Sequence, residues 1–104
     1  MADIAIDFDH VIHDTYNVVP GRKMGYPIDG AKEALQQLQK EGHRIIIHSC
    51  NRPAAIVDWM RYYGIPYSTV WVGPGKPVAA VYIDDRALRF TSWVQAMREL
   101  PACL

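Results

Sequence analysis

Four short stretches of this 104-residue chain hold side chains that can do chemistry, three at the ends of apolar runs and one in a glycine-proline loop. Ile4-Ala5-Ile6 leads into Asp7-Phe8-Asp9, and Ile45-Ile46-Ile47-His48 leads into Ser49. Gly73-Pro74-Gly75 precedes Lys76, and Val81-Tyr82-Ile83 runs into Asp84-Asp85. An aspartate at the wet end of a buried strand adds nothing to a core, so two acidic pairs in that position ask for a chemical reason. Carboxylates gathered in one crevice repel one another unless a cation sits among them, and oxygen-only donors suit Mg²⁺. With that cation and Lys76 holding Asp7 ionised, its carboxylate can attack an electrophile whose own negative charge they offset, which describes a phosphoryl group. Asp9, kept off the metal, is then suited to protonate a leaving oxygen and later to deprotonate water. The Ser49 hydroxyl and nearby backbone amides would bind the phosphoryl oxygens.

The elements that must position these residues alternate strand and helix. The segment from Ala2 to Phe8 has the length and β-branched content of a strand. Asp29 to Gly42 reads as a helix, with Asp29 as N-cap, Ala31, Ala34, Leu35 and Leu38 on one face, and glycine at the stop. Arg44–His48 reads as a buried strand, its three isoleucines uninterrupted by polar residues in the manner of a parallel strand covered on both faces. A second helix is capped by Asn51, carries Pro53 in its first turn and ends at Gly64, with Ile56, Trp59, Met60 and Tyr63 facing inward. Ser68 to Val72 and Ala79 to Ile83 are the remaining strands. Ser92 with Gln95 forms a capping box for a last helix expected to end at Pro101. Between Asp9 and Pro27, residues 10–27 show no sustained periodicity and read as a loop or small hairpin. Right-handed crossovers bring successive parallel strand ends to one edge of the sheet, so Asp7, Asp9, Ser49, Lys76, Asp84 and Asp85 are expected to converge there.

Length fits one domain, 1–104, with a single core. The 11 basic and 11 acidic residues cancel, so no basic footprint for nucleic acid or anionic lipid is visible, although a polynucleotide end stays among the candidate substrates. No apolar run approaches a membrane span and the first residues carry Asp3, Asp7 and Asp9 rather than a secretory pattern, so a cytoplasmic protein is expected. Cys50 and Cys103 have no metal-like spacing and read as reduced thiols. His10 and His13 with Asp14 are too mixed a group, on an unassigned turn, to read as a metal site. Arg52 reads as a surface ion-pair residue.

The four motifs, in this order and along nearly the whole chain, resemble those of the haloacid dehalogenase superfamily of phosphatases and phosphotransferases. They stand as Ile-Asp7-Phe-Asp9-His-Val, Ile-Ile-Ile-His-Ser49, Gly-Lys76-Pro and Tyr-Ile-Asp84-Asp85. The resemblance implies a Rossmann-like α/β fold of three layers: a mostly parallel sheet of about four strands in the order 3-2-1-4, helices on both faces, and no cap domain. It implies a Mg²⁺-dependent phosphatase in which Asp7 forms an aspartyl-phosphate, Asp9 is general acid and base with its carbonyl on the metal, and Ser49 and Lys76 bind the phosphoryl group. Asp84 would ligate the metal with Asp85 assisting. Asp9, two residues after the nucleophile, favours phosphate-ester hydrolysis over dehalogenation. The chain departs from the common pattern at His10 and Val11, where Gly and Thr are frequent, and after Ser49, where Cys-Asn-Arg follows.

Two other classes compete. One is a non-catalytic, metal-binding interaction module on the same fold. The other is a phosphate-accepting receiver domain, whose acidic pair should follow the first strand rather than the fourth. Neither gap between motifs has room for a cap, so the crevice is expected to be open. It would then serve a bulky phosphorylated substrate, or be roofed in a homo-oligomer by a neighbour's segment from Val18 to Tyr26.

Overall fold

In the computed structural model the described residues are 1–50, 52–73, 75, 77–84 and 88–103, with no side-chain description at 88–89 and 101–103. Strand β1 (Asp3–Asp7) is the centre of a five-stranded sheet, with β4 (Arg44–His48) on one side and β6 (Val81–Asp84) on the other. The two-residue strands β5 (Thr69–Val70) and β7 (Leu88–Arg89) form the edges, giving the order β5-β4-β1-β6-β7 with every pair parallel. Strand β7 adds a fifth strand to the expected four, and β5 is shorter than the expected Ser68 to Val72. Between β1 and the first helix lies a separate two-stranded antiparallel hairpin, β2 (His13–Val18) and β3 (Gly25–Pro27), which fills the 10–27 excursion.

Parallel register sorts the sheet residues by face. Ile4 pairs with Ile45 and Val81, and Ile6 with Ile47 and Ile83, so these six share one side. They lie in a single cluster with the buried residues of α1 (Ala31–Lys40), α2 (Pro53–Tyr63) and α3 (Trp93–Cys103). Among the described residues the expected helices on both faces are therefore not found: α1, α2 and α3 all bury their apolar stripes on the same side. Ala5, Ile46 and Tyr82 occupy the opposite side, where Ala5 and Ile46 are nonetheless buried. On that side the Tyr82 hydroxyl donates to the carbonyl of Pro77, itself fully buried, so this residue of the β5 to β6 connection lies near the sheet. Sequence explains this. The connection from β5 to β6 reverses direction across the sheet, so a right-handed crossover must pass on the face opposite α1 and α2. It spans three inter-strand steps, roughly 14 Å, and its Gly73, Pro74, Gly75 and Pro77 are poor helix material.

Helix ends also differ in detail from the sequence reading. Gly30, at φ 86° and without a side-chain cap bond, precedes α1 in place of Asp29. Arg52 is the N-cap of α2 with Pro53 at N1, while Asn51 lies outside the described residues. At α3 the Gln95 amide donates to Ser92 Oγ at 3.2 Å, but the Gln95 side chain turns to Glu99, so only half of the capping box forms. Helix α3 continues past Pro101 to Cys103, because a proline in the last turn removes one N–H without stopping the backbone. None of the described helices is long and apolar enough to cross a membrane.

The hairpin is fastened to the helices rather than hanging from the sheet. Trp93 Nε1 donates to the Val11 carbonyl and Trp59 Nε1 to the Gly25 carbonyl, both at 3.0 Å. Gly25 is required by close approach: a Cβ there would lie 1.8 Å from the Asp14 carbonyl oxygen and 2.8 Å from that of Asn17. We expect Gly25→Ala to cost about 1–3 kcal/mol, the usual range for overpacking, read as a lower urea midpoint at unchanged slope. A midpoint equal to that of the parent would show that the hairpin can shift to admit the methyl group.

Candidate functional site

The carboxyl ends of β4, β1 and β6 set His48, Asp7 and Asp84 side by side. Asp7 pairs directly with His48, and Asp84 follows Ile83, the partner of Ile6. Alternation puts all three on the face opposite the helices. Asp84 is buried and Asp7 half-buried. Burial pushes the Asp7 carboxyl above its ordinary value, opposed by His48 and by the Phe8 amide and reinforced by the charges of Asp9 and Asp84. Two of the sequence-derived acids, Asp9 and Asp84, are thus close enough to be felt at the carboxylate of a third, Asp7. Ser49, the first residue after β4, is half-buried one step beyond His48. Lys76 and Asp85 lie outside the described residues.

After β1 the chain turns sharply. The Phe8 carbonyl accepts from the amides of Ile12 and His13, both at 2.9 Å, and the His10 amide donates to the His13 carbonyl at 2.9 Å. His10 takes φ 67° to make this turn, the left-handed region that glycine enters without penalty. Its ring rests beside Tyr16 and its Nδ1 lies 3.1 Å from Thr15 Oγ1. A cavity of about 130 Å³ opens here, lined by Asp7, Asp9, His10, Val11 and Phe90.

The turn delivers His13 to Asp9. His13 Nδ1 lies 2.9 Å from Asp9 Oδ1, while its Nε2 accepts from the Gly25 amide at 2.8 Å. A backbone amide can only donate, so the ring proton belongs on Nδ1 and points at Asp9. The ring is held by stacking on Phe8 (centroids 5.0 Å apart) and by the edge of Trp59 (5.4 Å), with His13 only 5% exposed. Asp9 is therefore aimed by a fixed imidazole, which spacing alone did not disclose. His48 is the other residue that sequence reasoning passed over. Its Nε2 is buried and without a hydrogen-bond partner among the described residues.

Asp7 and Asp84 offer oxygen donors on adjacent strands, although no group of three His, Cys, Asp or Glu residues is arranged to hold a metal ion among the described residues. Segment 18–26 lies against its own chain: the Arg22 guanidinium stands 4.5 Å over the Tyr62 ring, and Gly25 is bonded to Trp59. The hairpin thus forms one wall of a second cavity, about 450 Å³, that reaches Asp9 and His13.

No protein-family model matches the chain, and no curated protein does. Among solved structures, a conserved protein from Bacteroides thetaiotaomicron superposes with a TM-score of 0.76, over 97% of this chain and 90% of its own, at 26% identity. The two share a fold across nearly their whole lengths.

Proposed function

We propose that the protein is a Mg²⁺-dependent phosphatase of the haloacid dehalogenase type, hydrolysing a phosphate monoester through an aspartyl-phosphate on Asp7. The observation that carries this reading is that Asp7 and Asp84 each follow directly on the paired residues Ile6 and Ile83 at adjacent strand ends, with Asp9 two residues on from Asp7 and oriented separately by His13. On this reading one carboxylate attacks and another moves a proton. The left-handed turn at His10 adds support, since it is the shape a glycine readily makes at that position in the common motif.

In the first step an Asp7 oxygen bonds to phosphorus as the bond to the leaving oxygen breaks, and Asp9 gives that oxygen its proton. His13 donates to Asp9 Oδ1, so the transferable proton is assigned to Oδ2. In the second step Asp9 takes a proton from water as the water oxygen attacks phosphorus. The Asp7–phosphorus bond breaks, releasing inorganic phosphate and regenerating both carboxyls. Ser49, by position, and Lys76, by the motif it resembles, bind the phosphoryl oxygens. Mg²⁺ typically takes one or two carboxylates and keeps several waters, and Asp7 with Asp84 meets that donor number. Bound there, with the Asp9 carbonyl and Asp85 assisting, the ion would offset charge on the carboxylates and on the phosphoryl group. The raised Asp7 carboxyl fits a site that needs such a counter-charge.

The test is hydrolysis of p-nitrophenyl phosphate and of a panel of phosphorylated metabolites, nucleotides and polynucleotide ends. Turnover with Mg²⁺ that stops with chelator is expected. Its absence across the panel would leave the metal-binding interaction module as the better reading.

A further inference from the structure

The cavity of about 450 Å³ beside Asp9 has the hairpin tip on one side and the start of α2 on the other. Resting on the catalytic reading above, Asp9 faces the leaving oxygen, so the space beside Asp9 is where the leaving group lies. Two cations line that space: Lys23 from the hairpin and Arg52 from the N-cap of α2. Neither side chain has an ion pair or hydrogen bond among the described residues, of which Asp9, aimed by His13, is the one acid lining the cavity. Neighbouring Arg22 differs, being placed over Tyr62. The N-terminus of α2 also contributes positive character, because Arg52 makes no side-chain cap bond and the first turn holds no acidic residue. Ala55 from that turn lines the same cavity. The chain has no net charge, so this concentration is local rather than a reflection of overall composition.

Two unpaired cations and an uncapped helix start around a small cavity suit a single anionic group at its far end. We propose that Lys23 and Arg52 select a phosphate ester whose leaving group carries a second anion, a carboxylate or a second phosphate. The phosphoryl group to be cleaved sits at Asp7, the ester oxygen at Asp9, and the second anion between hairpin and α2. Specificity comes from the chain's own hairpin, so neither an inserted cap nor a neighbouring subunit is needed to recognise a small substrate.

The probes are non-hydrolysable: 3-phosphonopropionate carries a carboxylate, propane-1,3-bisphosphonate a second phosphonate, and propylphosphonate no second anion. Calorimetric titration in Mg²⁺ is expected to show at least one of the first two binding about tenfold or more tightly than propylphosphonate, in line with charge-assisted contacts. Which of the two gains identifies the source of the anion. In Lys23→Gln and Arg52→Gln, both at exposed positions where folding is not at stake, that ratio should fall toward one. Lys40→Gln, on the exposed surface of α1, should keep it. Equal affinity for all three probes in the parent, or a ratio untouched by both variants, would overturn the proposal. A preserved anion preference in a protein that hydrolyses no phosphate ester would instead overturn the phosphatase reading and leave the pocket standing.

Discussion

Asp7→Asn is expected to lose phosphatase turnover altogether, a fall of at least about 10³-fold, while becoming more stable than the parent in chelator at pH 7. The first half follows from chemistry. A neutral amide cannot form and release the aspartyl-phosphate that a carboxylate does. The second half follows from electrostatics. Burial first, and then the charges of Asp9 and Asp84, hold the Asp7 carboxyl above 3.8, so the folded chain favours its protonated form. A group whose folded value is raised supports folding fully below its unfolded value and loses that support as pH rises through the folded one. Above that window the parent carries a destabilising ionised carboxylate, and the asparagine variant does not. Relief of this kind is worth on the order of 0.5–2 kcal/mol, a rise of a few degrees in melting temperature. Below about pH 3.8 the two proteins should converge. Melting curves at pH 3 and pH 7 in chelator read the stability half, and steady-state assays in Mg²⁺ read the other. Retained turnover would remove Asp7 from the nucleophile's role. A variant less stable at pH 7 would show that Asp7 is a structural acceptor rather than a strained acid.

Much of this arrangement is legible in the sequence because it depends on local pattern. Ile4 to Ile6, Ile45 to Ile47 and Val81 to Ile83 announce buried strands by composition, and the acids at their ends follow directly. The stripes of α1 and α2 are equally plain. What escaped depends on register and on long-range packing. His48 comes beside Asp7 only because β1 and β4 pair without offset, and no residue of either strand states that offset. The placement of all three helices on one face is a property of connections rather than elements. Gly73 to Pro77 reads as a loop, but nothing in it states that Pro77 would be fully buried and bonded to the Tyr82 hydroxyl. Gly30 replaces Asp29 as the cap of α1 where Trp93 Cβ stands only 3.1 Å from the place of a Cβ on residue 30. That contact joins residues more than sixty positions apart.

The role of His13 shows the same limit at the level of chemistry. From the sequence, His13 belonged with His10 and Asp14 in a group too irregular to interpret. In the fold it is the middle of a relay of fixed groups, in which the Gly25 amide sets the ring's proton on Nδ1 and that proton sets Asp9. The hairpin is thus more than a flap. Its Gly25 carbonyl holds Trp59, its amide holds His13, and through them its position is tied to the direction of the proton-transfer group.

Asp9→Asn should therefore separate the two chemical steps. Without a proton donor, esters with poor leaving groups, such as alkyl phosphates, should be cleaved about 10²- to 10⁴-fold more slowly, the usual scale of general acid–base catalysis. p-Nitrophenol leaves readily as its anion, so attack by Asp7 on its ester should survive much better. The following hydrolysis still needs Asp9 as base. Product should then appear as a rapid burst of about one equivalent, followed by slow turnover, with phosphate trapped on Asp7. The variant should also bind Mg²⁺ more nearly as the parent does than Asp84→Asn, because of these two residues only Asp84 is assigned a side-chain contact to the ion. Stopped-flow release of p-nitrophenol, mass spectrometry of the quenched protein and calorimetric Mg²⁺ titration read these three outcomes. Equal slowing of both classes of ester with no burst would mean that Asp9 supports the first step by position or charge rather than by proton transfer. If Asp9→Asn lost Mg²⁺ affinity more severely than Asp84→Asn, the two carboxylates would have to exchange roles, and His13 would then be orienting a metal ligand.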